Sequence, residues 1–119
     1  IAEIMLPKLL SPLALQTKSK LVGQVRATIE QTQVSGIAGA LMAMAERPDS
    51  VPLLAQIACP TLVITGELDG PTPPADGQLM AERISGARLE IIPKAGHLSN
   101  LEQPEAFNKE VLSFLNRSA

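Results

Sequence analysis

Two residues of this 119-residue chain combine side-chain type and placement in the way proton-transfer chemistry requires. Asp69 lies in TLVITGELDGPTPP, where an apolar run breaks into an acidic loop punctuated by prolines. His97, the single histidine, lies in KAGHLSNLEQP, later in the chain. A carboxylate against one imidazole nitrogen fixes the ring's tautomer and stabilises the imidazolium formed when the other nitrogen takes a proton. On residue types alone two readings stay open. An Asp-Gly pair before PTPP also suits a turn or a cap, and a lone loop histidine also suits a surface or structural role. Glu67 is a rival acid, but it sits nearer the strand end. Ser99 offers a hydroxyl on the His97 loop, yet a serine two positions away cannot easily face the ring.

The elements around these loops decide whether Asp69 and His97 can meet. TLVITG is a short apolar run with β-branched residues between Pro60 and Gly66, the pattern of a strand covered on both faces. PPADGQLMAERI reads as a helix with prolines in its first turn, closed by Gly86. RLEIIP is a second strand, and PEAFNKEVLSFLNR a last helix with Phe107, Val111, Phe114 and Leu115 at helical spacing. Ser99 and Glu102 stand at capping-box spacing, with Pro104 favouring a restart of the helix. The order strand, helix, strand, helix predicts an α/β fold: a parallel, right-handed βαβ unit plus one helix. Loops leaving the carboxyl ends of parallel strands share one rim, where ligands bind. Adjacent strands therefore bring Asp69 and His97 within reach, and Gly96 allows a sharp turn before the histidine.

Ahead of this unit the chain reads as helical. IAEIMLPKLLSPLALQT suggests short helical turns broken at Pro7 and Pro12. Leu21, Val25, Thr28 or Ile29, and Thr32 form one helical stripe. GIAGALMAMAER continues as a helix of small residues that admits a close neighbour, with Met42 and Met44 as adaptable apolar surface. It stops at Pro48, and Asp49 or Ser50 can cap the short turn VPLLAQI. The division is residues 1–50, helical, and residues 51–119, α/β.

Bulk properties exclude several function classes. The formal net charge is −2 and no basic cluster occurs, which argues against nucleic acid. Val34–Ala45, the longest apolar run, is shorter than the roughly 20 residues of a membrane span and is internal, unlike a signal peptide. One cysteine cannot form an internal disulfide, which suits a reducing, cytoplasmic setting; Cys59 reads as a small buried hydrophobe. A single histidine among scattered carboxylates implies no metal, and the lack of a glycine-rich phosphate loop implies no organic cofactor. With two Phe and no Trp or Tyr, no aromatic-lined pocket can be argued. The chain begins with Ile, which suggests a processed, cleaved or partial product.

The segment from Cys59 to Leu115, CPTLVITGELDGPTPP through KAGHLSNLEQPEAFNKEVLSFL, resembles the C-terminal part of α/β-hydrolases, near the enol-lactonase and esterase branch. The resemblance implies a triad in which Asp69 is the acid and His97 the base, acting on a small-molecule carboxylic ester or lactone. The helices before Ser50 resemble, more loosely, late cap helices, with the Met- and Ala-rich helix lining an apolar pocket. The family also uses a nucleophile elbow, G-x-S-x-G, on an earlier strand. No serine here has a glycine two residues before it, so His97 has no partner hydroxyl within the chain. Haloperoxidase-like, C–C hydrolytic, lyase and acyl-transfer chemistries share the scaffold. A two-stranded unit would also expose a pairing edge. The expectation is a chain that packs against an N-terminal half of the same protein or another copy of itself, or that is the ordered remainder of a longer protein. The alternative is an inert fragment whose only activity is assembly.

Overall fold

A computed structural model describes residues 1–118. Four helices come first: α1 (Ala2–Leu9), α2 (Pro12–Thr17), α3 (Ser19–Gln31) and α4 (Val34–Glu46). A 3-10 turn, Val51–Gln56, leads into β1 (Leu62–Gly66), α5 (Pro74–Arg83) and β2 (Arg88–Ile92). The short α6 (Ser99–Glu102) and the long α7 (Pro104–Ser118) follow. The α/β reading of the second half is what the chain adopts: β1 and β2 pair in parallel, from Leu62 opposite Arg88 to Gly66 opposite Ile92.

The first three helices and the α1–α2 junction are held together by one shared apolar cluster. Leu6 and Leu10 meet Ala14, Val25 and Ile29 in one buried cluster, with Leu21 and Leu98 packed beside it. Each such Leu, Val or Ile contributes about 1.5–3 kcal/mol when fully buried. Leu98 belongs to the His97 loop, so this cluster already touches the site. Ser11 caps α2, its hydroxyl accepting the Ala14 N–H at 3.1 Å, and Pro12 fills the first helical position, where no N–H is needed. Arg26 of α3 pairs with Glu3 of α1, holding the Glu3 carboxyl below its usual range. That pair is solvent-exposed and screened, so it orders α1 against α3 more than it stabilises them.

Three local expectations are corrected. Pro7 does not interrupt α1; it lies inside it. The bond it forfeits would have gone to the carbonyl of Glu3, a residue open to water, so the loss is made good by solvent. Gly86 does not close α5, which ends at Arg83; Gly86 takes φ +71° in the turn into β2, where a side chain would be strained. Cys59 is exposed rather than buried, because it precedes the strand instead of entering it. The turn after α4 is capped by Asp49, which accepts the Val51 N–H at 2.9 Å, while Ser50 makes no cap.

On the sheet, Val63 and Thr65 point to the face covered by α5, which lays Gly77 against them and against Leu89. Beyond Gly66 and Ile92 the strand exits stay bonded to each other. Glu67 N–H donates to Ile92 O at 2.9 Å and Leu68 N–H to Ala95 O at 2.8 Å. This closeness depends on Gly66, because a Cβ there would sit 2.2 Å from Gly96 O and 2.4 Å from Ala95 O. Gly66→Ala is therefore expected to cost at least about 2 kcal/mol by forcing the loops apart. Urea unfolding reads this directly, and a midpoint within error of the parent would refute the account.

Candidate active site

Asp69 is at the first turn after β1, its N–H donating to Gly66 O at 3.2 Å, and is 7% exposed. Its carboxylate is claimed from two sides. Thr72 gives its N–H to Oδ1 at 2.9 Å and its hydroxyl to Oδ2 at 2.9 Å. Opposite, His97 Nδ1 lies 3.1 Å from Oδ1 and 3.0 Å from Oδ2. An ionised carboxylate only accepts, so the Nδ1 proton belongs to histidine and the Nε2 lone pair is left free. Thr72 Oγ1 is also 3.2 Å from Nδ1, so with its own proton committed to Asp69 it can accept a minor share of the Nδ1–H. The imidazole is about a third exposed while its acid is not, so the ring's free edge faces the rim and its bonded edge is sheltered.

The two candidate residues are thus brought into direct contact. The rival acid is elsewhere: Glu67 is exposed and accepts the Lys94 N–H at 2.8 Å. That bond fixes the turn after β2, where Lys94 holds φ +57°. Ser99 is buried at the start of α6 and is not open to a substrate. Among the described residues no group of three His, Cys, Asp or Glu side chains is placed to hold a metal ion. No helix among them is long and apolar enough to cross a membrane.

Sequence reasoning missed Thr72 and the partner of Glu102. Thr72 carries no signal of its own inside PTPP, although an aspartate side chain can accept bonds from groups a few positions ahead of it in a turn. Its carbonyl also accepts the hydroxyl of buried Thr65 at 3.2 Å, which ties the acid loop back onto β1. Glu102, 1% exposed, is bonded across the chain to Ser11, a pairing no local pattern announces. The Met-rich helix does line an apolar groove of about 510 Å³, between α1 and α4 and bordered by Ile4, Met5, Ile37, Leu41 and Met44. Neither Asp69 nor His97 borders that groove.

Residues 6–110 match the Alpha/beta hydrolase family. The chain belongs to that family. It is 35% identical over 117 residues to 3-oxoadipate enol-lactonase 2 of Acinetobacter baylyi, covering 98% of this chain and 43% of that protein. Among solved structures, a thermophilic esterase from Thermogutta terrifontis superposes with TM-score 0.94 at 36% identity, over 98% of this chain and 43% of the esterase. The enol-lactonase from Burkholderia xenovorans LB400 gives TM-score 0.90 at 31% identity, over 97% and 44%. The chain therefore spans less than half the length of these relatives, and the α/β-hydrolase architecture accounts for its parallel strands and shared rim.

Thr72→Val removes the hydroxyl bond to a carboxylate and is expected to cost about 1–2 kcal/mol, whereas Thr72→Ser, which keeps it, should stay within about 0.5 kcal/mol. Equal unfolding midpoints for the two variants would show that the hydroxyl does not brace Asp69.

Proposed function

We propose that this chain carries the acid and base of a serine hydrolase acting on carboxylic esters or lactones. The observation that carries the reading is the double contact between His97 Nδ1 and the buried Asp69 carboxylate, at 3.0 and 3.1 Å. That contact leaves Nε2 able to take the proton of an attacking hydroxyl and return it to the departing alkoxide. Water, activated by the same nitrogen, would then release the acyl group and restore the nucleophile. Asp69 takes no proton in this scheme; it orients the ring and stabilises its cationic form. The ester and lactone class is supported by the relatives named above, an esterase and two enol-lactonases.

The nucleophile comes from outside these residues in this reading, since no G-x-S-x-G occurs among them. The partner is an N-terminal half of the same protein, with a second copy of the chain as the other candidate. Support comes from surfaces left uncovered: β1 pairs on one side only among the described residues, and α4 exposes Val34, Leu41, Met42 and Met44, each by more than half. The same surfaces favour the second reading, an inert chain that only assembles. Sedimentation across a concentration series is expected to show association, and a dilute, stable monomer would remove the argument.

A fluorophosphonate probe separates the two readings. The isolated chain should remain unmodified, while a longer polypeptide placing a nucleophile elbow ahead of residue 1 should take one adduct per chain. His97→Gln in that polypeptide should abolish labelling, and Asp69→Asn should lower ester turnover on the order of 10⁴-fold. Unchanged labelling of the His97 variant would defeat the hydrolase reading. An adduct on the isolated chain would place the nucleophile within it.

A further inference from the structure

Glu102 presents a carboxylate that the acid–base pair does not use. It is 1% exposed, and its side chain collects three donors, two from Ser11, far away in sequence, and one from nearby Gly96. Oε1 accepts the N–H of Gly96 at 3.0 Å and that of Ser11 at 3.0 Å, while Oε2 accepts the Ser11 hydroxyl at 2.5 Å. The Lys18 ammonium lies close by, but it donates to the main-chain carbonyl of Glu102. A buried carboxylate persists only where such donors replace its water, and bonds to a charged acceptor are the stronger kind.

The place of the Gly96 bond is what matters. The peptide unit joining Ala95 to Gly96 is gripped at both ends: its carbonyl accepts the Leu68 N–H, one residue before Asp69, and its N–H goes to Glu102. On the far side of His97, the Leu98 N–H donates to Leu9 O at 3.0 Å. The backbone carrying the imidazole is thus fastened to the acid loop, to Glu102 and to the end of α1. Gly96 has no room to shift within this clamp, since a Cβ there would lie 2.7 Å from Ser11 N and 2.8 Å from Glu102 Oε1. Its lack of a side chain answers to this close approach; its φ is not positive, unlike that of Gly86.

We infer that Glu102 is a positioning residue for His97, and that through Ser11 it makes the placement of the ring depend on the junction between α1 and α2. Ser11 serves both sides, giving its N–H and O–H to Glu102 while its oxygen caps α2. A displacement of that junction is transmitted through one rigid carboxylate to the peptide before the histidine. Misplacement of a reacting group by about 1 Å is enough to cost on the order of 10²-fold in rate. The inference rests on the reading of His97 as the proton-transferring base.

The single histidine makes the test direct, because ¹⁵N spectra of the labelled chain contain one imidazole. The parent should show the neutral ring protonated on Nδ1, with a downfield Nδ1–H signal from the bond to Asp69. Glu102→Ala should lose that signal, mix in the Nε2–H tautomer and speed hydrogen exchange of the Gly96 amide by about tenfold, as befits loss of a charge-assisted bond. Glu102→Gln keeps an acceptor at Oε1 and should retain the Nδ1–H signature while exchanging the Gly96 amide several-fold faster. Ser11→Ala, which keeps the N–H bond to Glu102 and loses the hydroxyl bond, should lower the unfolding midpoint and move the ring spectrum part of the way towards that of Glu102→Ala; an unaltered ring spectrum would overturn the link through Ser11. If Glu102→Ala lowers the midpoint but its folded state keeps the parent ring spectrum, Glu102 is structural only and the inference fails. If that variant does not fold, Gly96 exchange in Glu102→Gln decides, and an unchanged rate overturns it. Since the readout is the ring and not turnover, a failed hydrolase reading and a failed role for Glu102 give different results.

Discussion

Parallel strands deliver their following loops to one rim, but delivery alone leaves two loops side by side, not in contact. Here the last residue of β1 is a glycine, and the space a side chain would fill is taken by the carbonyls of Ala95 and Gly96. The strand exits can then continue the ladder past the sheet, through Glu67 to Ile92 and Leu68 to Ala95. One residue beyond those bonds stands Asp69, and one residue beyond Gly96 stands His97. Their separation of about a hydrogen-bond length follows from that extended pairing and needs no flexible adjustment of either side chain.

Two carboxylates are buried near this rim, and their surroundings give them different work. Asp69 receives bonds from the Thr72 backbone and hydroxyl on one side and from an imidazole on the other. One of its neighbours can change charge, and that neighbour reaches solvent. Glu102 is surrounded by Ser11 and the Gly96 N–H, groups with no charge to exchange near neutrality. Desolvation makes both arrangements expensive to leave half satisfied. The first can respond to a proton at the rim, whereas the second holds geometry fixed while that response occurs.

Much of the strand-and-loop half was legible, because its signals are local. TLVITG is bounded by Pro60 and Gly66, Pro74 falls at a helix start, and the α7 apolar residues repeat at helical spacing; each identifies its own element. Asp69 and His97 could be singled out once both strands were taken as parallel neighbours. Val25 was legible as part of a stripe and is buried. Of Thr28 and Ile29, left as alternatives, Ile29 is the buried one, and Thr32, also placed on the stripe, is exposed because it stands at the end of α3. What escaped depends on partners distant in sequence. Glu102 read as a capping-box residue with Ser99, but its carboxylate goes to Ser11, 91 positions away, and Ser99 makes no cap bond. Gly96 read as a turn glycine, although it is the approach of Ser11 and Leu10 that excludes a side chain there. Pro7 escaped for the opposite reason: a local rule was applied at a helix position where the residue that loses its bond, Glu3, is exposed to water.

The distribution of burial separates what this chain completes from what it leaves open. Its enclosed residues gather where α1, α2 and α3 meet the His97 loop and where α5 covers β1. The acid, the base and the carboxylate behind them all lie within that enclosed region or at its margin. By contrast, α4 buries no residue, although it is among the more apolar helices and carries Leu41, Met42 and Met44. A helix of that composition gains little by staying in water, and its propensity alone is a weak reason to form. The covering proposed for this chain would act there and along the free edge of β1, and the nucleophile it brings would meet the exposed edge of the His97 ring. The geometry of the pair and the burial of the surrounding surface are therefore separable: the first is fixed by bonds inside the chain, and the second by whatever packs against α4.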